Sequence, residues 1–164
     1  KISNSFPIQK NYMLCYFLSD SLEYRDTVKD LLLEYKTSLV IVSKYNTYRQ
    51  IADVFFNGIA PDNFIFAVKN ASCIVTDSFH GVAMAIILEK DFYVFDRFSE
   101  NDPLCQNSRI NDILDKLDLQ ARKIDKSPIN KKPIDYTIVN ERLRYERKIS
   151  QRFLKECLKN GVGK

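Results

Sequence analysis

The chain has 164 residues, of which 45% are hydrophobic, so it is long enough to bury one core and suits a single domain. No apolar run approaches the roughly 18 residues of a membrane-spanning helix, which argues against such a segment. The net charge of +4 is small, and the four cysteines form no CxxC pair, so we expect a cytoplasmic protein without a disulfide framework or a zinc site.

Short apolar runs alternate with segments of helical periodicity along the chain. The runs 11–18, 38–43, 73–76 and 91–95 are typical of buried strands, and helices are predicted over 22–35, 61–70, 79–88, 109–117 and 134–160. This alternation predicts a parallel sheet with right-handed crossovers. The expected fold is therefore α/β: one Rossmann-like domain over residues 1–164, with an open parallel sheet, helices on both faces and a linker over 123–133.

Two segments carry weaker patterns. Residues 44–58 combine aromatics with Asn and Gly, which predicts a loop with one short strand or helix, and residues 96–108 predict a long polar loop. In the last helix, the apolar positions predict one buried stripe, formed by Val139, Leu143, Ile149, Phe153, Leu154, Cys157 and Leu158.

Charge is distributed unevenly along the chain. Residues 1–108 carry ten Lys and Arg against thirteen Asp and Glu, whereas residues 109–164 carry fifteen against eight. Such a basic region can attract an anion, a nucleic acid or an acidic membrane surface. A solvated helix face explains most of these charges more simply, and no nucleic-acid-binding motif accompanies them.

The only histidine lies in the turn Thr76-Asp-Ser-Phe-His-Gly81, between the third predicted strand and the helix that follows it. In open α/β sheets, ligands bind beyond the carboxyl ends of the strands, where this turn lies. The unpaired amides and positive dipole end of a helix start form an anion site, here with Asp77 or Ser78 as the N-cap. Gly81 lets the helix lie close to the sheet or to a ligand.

A histidine in this turn has three candidate roles. It can donate a hydrogen bond to a phosphate or carboxylate, act as a general acid, since a free imidazole titrates near pH 6.5, or hold the turn together. For a lone histidine the structural role is the default interpretation. No G-x-S-x-G elbow surrounds Ser78, and His80 has only Asp77 as a nearby metal-ligand type. The chain also lacks G-x-G-x-x-G and Walker A motifs.

Five motifs follow one another in the chain: Ala60-Pro-Asp-Asn-Phe64, Asn70-Ala71, Val75-Thr-Asp-Ser-Phe-His-Gly81, Asp91-Phe-Tyr-Val-Phe95 and Asn107-Ser-Arg-Ile110. In this order, and over roughly residues 10–160, they resemble the C-terminal half of the polysaccharide pyruvyl transferase family. Members of that family are similar to glycosyltransferases of the two-domain, GT-B-like kind. The resemblance implies that this chain is the second Rossmann-like domain. Because the chain opens on Lys1, we expect the N-terminal domain to be missing.

The resemblance also implies a chemistry. Family members transfer a pyruvyl group from phosphoenolpyruvate to a sugar and close a ketal across two hydroxyls, in the biosynthesis of bacterial surface polysaccharides. His80 is implied to contact phosphoenolpyruvate as the catalytic residue and to protonate the enol carbon, with Ser78, Phe79 and Gly81 in the same donor site. No metal or organic cofactor is implied. The acceptor would be a sugar or a lipid-linked saccharide, which places the enzyme in the cytoplasm or at the inner face of the membrane.

One departure from the family pattern affects the donor site. Better-studied branches carry Arg-Leu-His where this chain has Ser78-Phe79-His80, so the arginine that would hold the donor is replaced by Ser78. Arg109 is the preferred substitute and Arg97 the second, although Arg109 can equally pair with Asp112 or Asp115 on its own helix. Asp77 is expected to cap the helix or to orient His80.

Two other functions remain open at this point. A GT-B-like glycosyltransferase domain would bind a nucleotide sugar, with Glu89 as a candidate partner of the ribose hydroxyls. A non-catalytic anion-binding module would keep the fold without the chemistry, which the replacement at Ser78 favours. Tyr45 and Tyr48 can stack on a sugar, although packing within the loop is the simpler interpretation. Peripheral membrane contact through the basic last helix is a further expectation, and nucleic-acid binding is not expected.

Overall fold

The computed structural model describes residues 11–99, 102, 106–124 and 129–161. Its strands are β1 Tyr12–Phe17, β2 Ser38–Ser43, β3 Val54–Phe56, β4 Cys73–Thr76, β5 Phe92–Phe95 and β6 Lys123–Ile124. Its α-helices are α1 Leu22–Tyr35, α2 Pro61–Asn70, α3 Phe79–Ile87, α4 Asn107–Leu117 and α5 Tyr136–Gly161. Short 3₁₀ turns cover Asn46–Tyr48 and Gln120–Arg122.

The six strands form one sheet in the order β3-β2-β1-β4-β5-β6, and every pair of neighbours is parallel. This confirms the predicted α/β class and the Rossmann-like open sheet. The chain builds outward from β1 through β2 to β3 and then returns to the other side of β1 with β4. The connections therefore reverse direction between β1 and β4, and a crevice opens beyond the carboxyl ends of these two strands.

Side-chain alternation along the strands divides the core into two layers. Tyr12 and Leu14 of β1 face a cluster shared with α2, α3, α4 and the start of α5. Met13, Cys15 and Phe17 face the opposite cluster, which α1 covers through residues such as Val28. Helices therefore lie on both faces of the sheet, as predicted, and strands buried on both sides read as continuous apolar runs.

The segments with weak sequence patterns contain short elements whose type the sequence did not decide. Residues 44–58 hold the 3₁₀ turn and the short strand β3. Tyr48 lies in this turn with no exposed surface, and its hydroxyl donates to the carbonyl of Ser19 and accepts from the amide of Ser21. Sugar stacking by Tyr48 is therefore wrong. The first two residues of the predicted linker form β6. Residues 125–128 of the linker lie outside the described residues, and so does Cys105.

The predicted buried stripe of α5 is wrong in its second half. Val139 is buried and Leu143 half-buried, but Ile149, Phe153, Leu154 and Leu158 are 45%, 66%, 61% and 62% exposed, and Cys157 is exposed too. A helix of 26 residues is about 39 Å long, and its second half extends beyond the core that covers its start. Periodicity reveals an apolar face but not whether anything covers it. Among the described helices, none has the length and apolar content to cross a membrane.

Candidate functional site

A small cleft lies at the carboxyl edge of the sheet, where the connections reverse direction. It has a volume of about 150 Å³ and is bounded by the residues that follow β1, β4 and β5 and by the start of α4. His80, Ser78, Arg97 and Arg109 all line it. The structure thus brings together predicted site residues that are separated by up to 31 positions in the sequence.

The start of α3 forms one wall of this cleft. Ser78 is the N-cap in an extended conformation, and its carbonyl accepts the first helical hydrogen bond, from Val82 at 3.0 Å. The amides of Phe79, His80 and Gly81 therefore lack intrahelical acceptors. The Ser78 hydroxyl makes no cap bond, and its oxygen is buried without any partner among the described residues. A ligand oxygen in the cleft would give the free amides of this helix start the partners they lack.

Gly81 permits the close approach of α3 to the end of β4. A Cβ atom at this position would lie 2.5 Å from Oγ1 and 2.9 Å from Cγ2 of Thr76. Thr76 has no room to move, because its hydroxyl donates to the carbonyl of Tyr16 at 2.6 Å and accepts from the amide of Ser78 at 3.1 Å. Glycine is therefore required here by the helix-to-sheet distance.

The His80 ring is exposed, and its centroid lies 6.0 Å from that of Phe79 in an edge-on arrangement. It makes no hydrogen bond to a described residue. The structure therefore gives no support to a role of His80 in holding the turn together. No described residue occupies either ring nitrogen, so both can bond a ligand in the cleft.

Two arginines face the cleft, and both are exposed. Arg109 lies over the Phe79 ring, with 5.5 Å from its guanidinium carbon to the ring centroid, and it donates to the side chain of Gln106. The predicted pairing with Asp112 or Asp115 is not observed, and Asp115 instead accepts a hydrogen bond from Gln120 at 2.8 Å. Arg97 lies over the ring of Phe98 at 5.0 Å. Within the described residues, neither arginine forms a salt bridge.

Asp77 does neither of the tasks expected of it. Ser78, not Asp77, is the N-cap, and no hydrogen bond joins Asp77 to His80. The Asp77 carboxylate accepts from the amides of Leu18 and Ser19 at 2.8 and 2.9 Å and from the Ser19 hydroxyl. Burial raises the pKa of the Asp77 carboxyl, and the hydrogen bonds from Ser19 and Leu18 and the nearby Arg97 charge oppose that rise.

Asn107 is a site residue whose role the sequence did not reveal. It is buried at the start of α4, and its side-chain amide donates to the carbonyl of Phe98 at 2.7 Å and accepts from the Phe98 amide at 3.3 Å. These bonds fix the residues after β5 against α4, and so place Arg97 and Arg109 beside the same cleft. The sequence signal available for this role was a polar residue close to the predicted start of α4.

Glu89 lies at the wrong end of α3 for a ribose partner. It follows the helix C-terminus, at the amino edge of the sheet, and accepts a hydrogen bond from Asn140 at 2.8 Å. Tyr45 is half-buried, with the ammonium of Lys44 5.0 Å from its ring centroid. Neither residue lines the cleft.

The cleft combines His80, Arg97 and Arg109 with a helix start, so it is suited to bind a small anion, although the carboxyl of Asp77 also lines it. The described residues hold no cluster of three His, Cys, Asp or Glu side chains that would bind a metal ion. Comparisons of the chain with known protein families, curated proteins and solved structures find no match.

Proposed function

We propose that this chain is the donor-binding domain of a ketal pyruvyltransferase, which binds phosphoenolpyruvate in the cleft beside α3. The observation that carries the proposal is that His80, Arg97 and Arg109 line one cleft together with Ser78 at the start of α3. Phosphoenolpyruvate carries a phosphate and a carboxylate. The start of α3 offers amide donors to one of them, and the arginines offer charge to the other.

His80 would act as the general acid in this reaction. It donates a proton to the terminal CH2 carbon of the enol, which becomes a methyl group, while a sugar hydroxyl attacks the carbon that bears the phosphate. A second hydroxyl of the sugar then displaces inorganic phosphate by cleavage of the carbon–oxygen bond, and the ketal closes. One hydroxyl proton returns to the His80 imidazole, replacing the proton given to the methyl group, and the other leaves with the phosphate, so the reaction balances.

The part of the cleft that this domain forms has room for a donor as small as phosphoenolpyruvate. Sites for larger organic ligands span about 300–1,000 Å³, whereas this cleft has about 150 Å³. The candidate ribose partner, Glu89, lies at the opposite edge of the sheet. Both observations are consistent with a small phosphorylated carboxylate as the ligand.

We expect Arg109→Ala to weaken phosphoenolpyruvate binding about tenfold to hundredfold, because a hydrogen bond to a charged group contributes about 1.5–3 kcal/mol. Calorimetric titration of the chain with phosphoenolpyruvate measures this. The matched control is Arg49→Ala, because Arg49 is also exposed and lies over an aromatic ring, 5.0 Å from the Phe55 centroid, but outside the cleft. Tighter binding of a nucleoside diphosphate than of phosphoenolpyruvate would favour the glycosyltransferase alternative instead.

The acceptor is proposed to be a sugar or lipid-linked saccharide that reaches the cleft between this domain and a second domain of the same enzyme.

Contact with an anionic membrane surface is part of the proposal. It is supported by the exposed apolar side chains on the second half of α5 and by the cations beside them that form no salt bridge with a described residue, Arg147, Lys148, Arg152, Lys155 and Lys159.

Membrane contact predicts that Phe153→Ser with Leu154→Ser reduces sedimentation of the chain with vesicles containing phosphatidylglycerol. The control is Leu33→Ser on α1, a site that is 77% exposed but remote from the cations of α5. Equal sedimentation of both variants, or equal binding to neutral vesicles, would refute the contact.

A further inference from the structure

We propose that Asp77 is the positioning residue of the cleft: it fastens the segment after β1 to the start of α3 and so holds the anion-binding groups in place. This inference rests on the proposed function, since it concerns the same cleft. It assigns to Asp77 neither contact with the ligand nor a share in proton transfer.

The contacts of Asp77 all lead to the segment that follows β1. One carboxylate oxygen accepts from the amide of Leu18, and the other accepts from the amide and the hydroxyl of Ser19. Leu18 itself lines the cleft. These partners are 58 and 59 residues away in the sequence, so the contact joins the two strands between which the connections reverse.

The neighbouring residue Thr76 makes a second connection between the same strands. Its hydroxyl bonds the carbonyl of Tyr16 in β1 and the amide of Ser78. On the far side of the segment, the buried Tyr48 hydroxyl bonds the backbone of Ser19 and Ser21. The segment after β1 is therefore fixed from both sides, and Asp77 is the side chain that couples it to the site.

The negative charge of the Asp77 carboxylate disfavours the binding of an anion in the cleft. Its presence there is explained if it holds the segment after β1 in place. A buried negative charge costs desolvation free energy, and it repels an anion that binds nearby. Its oxygens, however, are directed to donors of the β1 segment. In metal sites, replacing the residues that hold the ligands in place commonly changes affinity tenfold to hundredfold, and we expect a similar range for Asp77.

The test compares Asp77→Ala with Asp53→Ala. Asp53 also anchors a backbone amide, that of Leu39 at 2.7 Å, but it is exposed and precedes β3 at the amino edge of the sheet. We expect Asp77→Ala to weaken phosphoenolpyruvate binding about tenfold to hundredfold, and Asp53→Ala to leave it unchanged while it lowers the unfolding midpoint. Ser19→Ala removes only one of the three donors, folds more readily and should give a smaller loss of affinity.

A ligand-free measurement separates this inference from the proposed function. Exchange of the Val82 amide, which makes the first hydrogen bond of α3, should accelerate in Ser19→Ala and Asp77→Ala but not in Asp53→Ala. If the wild-type chain does not bind phosphoenolpyruvate, the proposed function fails. The exchange rate of the Val82 amide then tests the positioning role of Asp77 by itself. Unchanged exchange and unchanged affinity in the Asp77 and Ser19 variants, or equal effects in the Asp53 variant, would overturn the positioning role.

Discussion

Gly81→Ala is expected to destabilise the protein by about 1–3 kcal/mol, because the new methyl group overlaps a side chain that cannot move. Its Cβ would lie 2.5 Å from the Thr76 hydroxyl oxygen, and Thr76 is fully buried and held by two hydrogen bonds. Helix propensity alone favours alanine over glycine by about 1 kcal/mol. The steric overlap is expected to exceed that gain.

Urea unfolding of Gly81→Ala and of a control variant measures the change in the free energy of unfolding. Gly58→Ala is the matched control, since nothing lies within 4 Å of a Cβ atom at that position, and we expect a change within about 0.5 kcal/mol. In Gly81→Ala, α3 must also move away from β4, so phosphoenolpyruvate affinity should fall with stability. A Gly81→Ala protein as stable as the wild type would show that α3 does not approach the sheet as closely as described.

His80→Ala is expected to lower kcat for pyruvyl transfer by about 10²–10⁴-fold, the usual contribution of a general acid. The folded state should be unaffected, because the ring is exposed and makes no hydrogen bond to a described residue. Because this domain by itself is expected to be inactive, the measurement is phosphate release from phosphoenolpyruvate by the full-length two-domain enzyme in the presence of the sugar acceptor, with circular dichroism as the check on folding.

His80→Gln distinguishes the two remaining roles of His80. Glutamine can donate a hydrogen bond to the donor but cannot transfer a proton at neutral pH. A catalytic His80 therefore predicts near-normal KM and low kcat in His80→Gln. Normal turnover in both variants would show that His80 is not the general acid, and no turnover by the wild-type enzyme would leave only a non-catalytic anion-binding module.

The elements that depend on local patterns were predictable from the sequence. The bounds of β2, β4, α1 and α2 agree with the apolar runs and the helical periodicity, because strands buried on both faces and helices with a capping turn leave local signals. The exposed second half of α5 could not be predicted in this way. Its apolar residues have the spacing of a buried face, and only the tertiary structure shows that the core ends before Ile149.

The candidate site was predictable in its location but not in its internal contacts. A histidine after a strand, at the start of a small-residue helix, indicated the carboxyl edge of the sheet. The partners of Asp77 are nearly 60 residues away, so no spacing rule could find them. The pairing of Arg109 with Gln106 rather than Asp112 likewise depends on how the residues before α4 are placed.

The most direct test of the account is an NMR titration of the wild-type chain with phosphoenolpyruvate. His80 is the only histidine, so its ring signals are assigned without ambiguity. We predict saturable shifts of the His80 ring and of the amides of Phe79 and Gly81, reversed by excess inorganic phosphate. Shifts confined to residues outside the cleft, or no shift at millimolar concentration, would contradict the claim that this helix start binds a small anion.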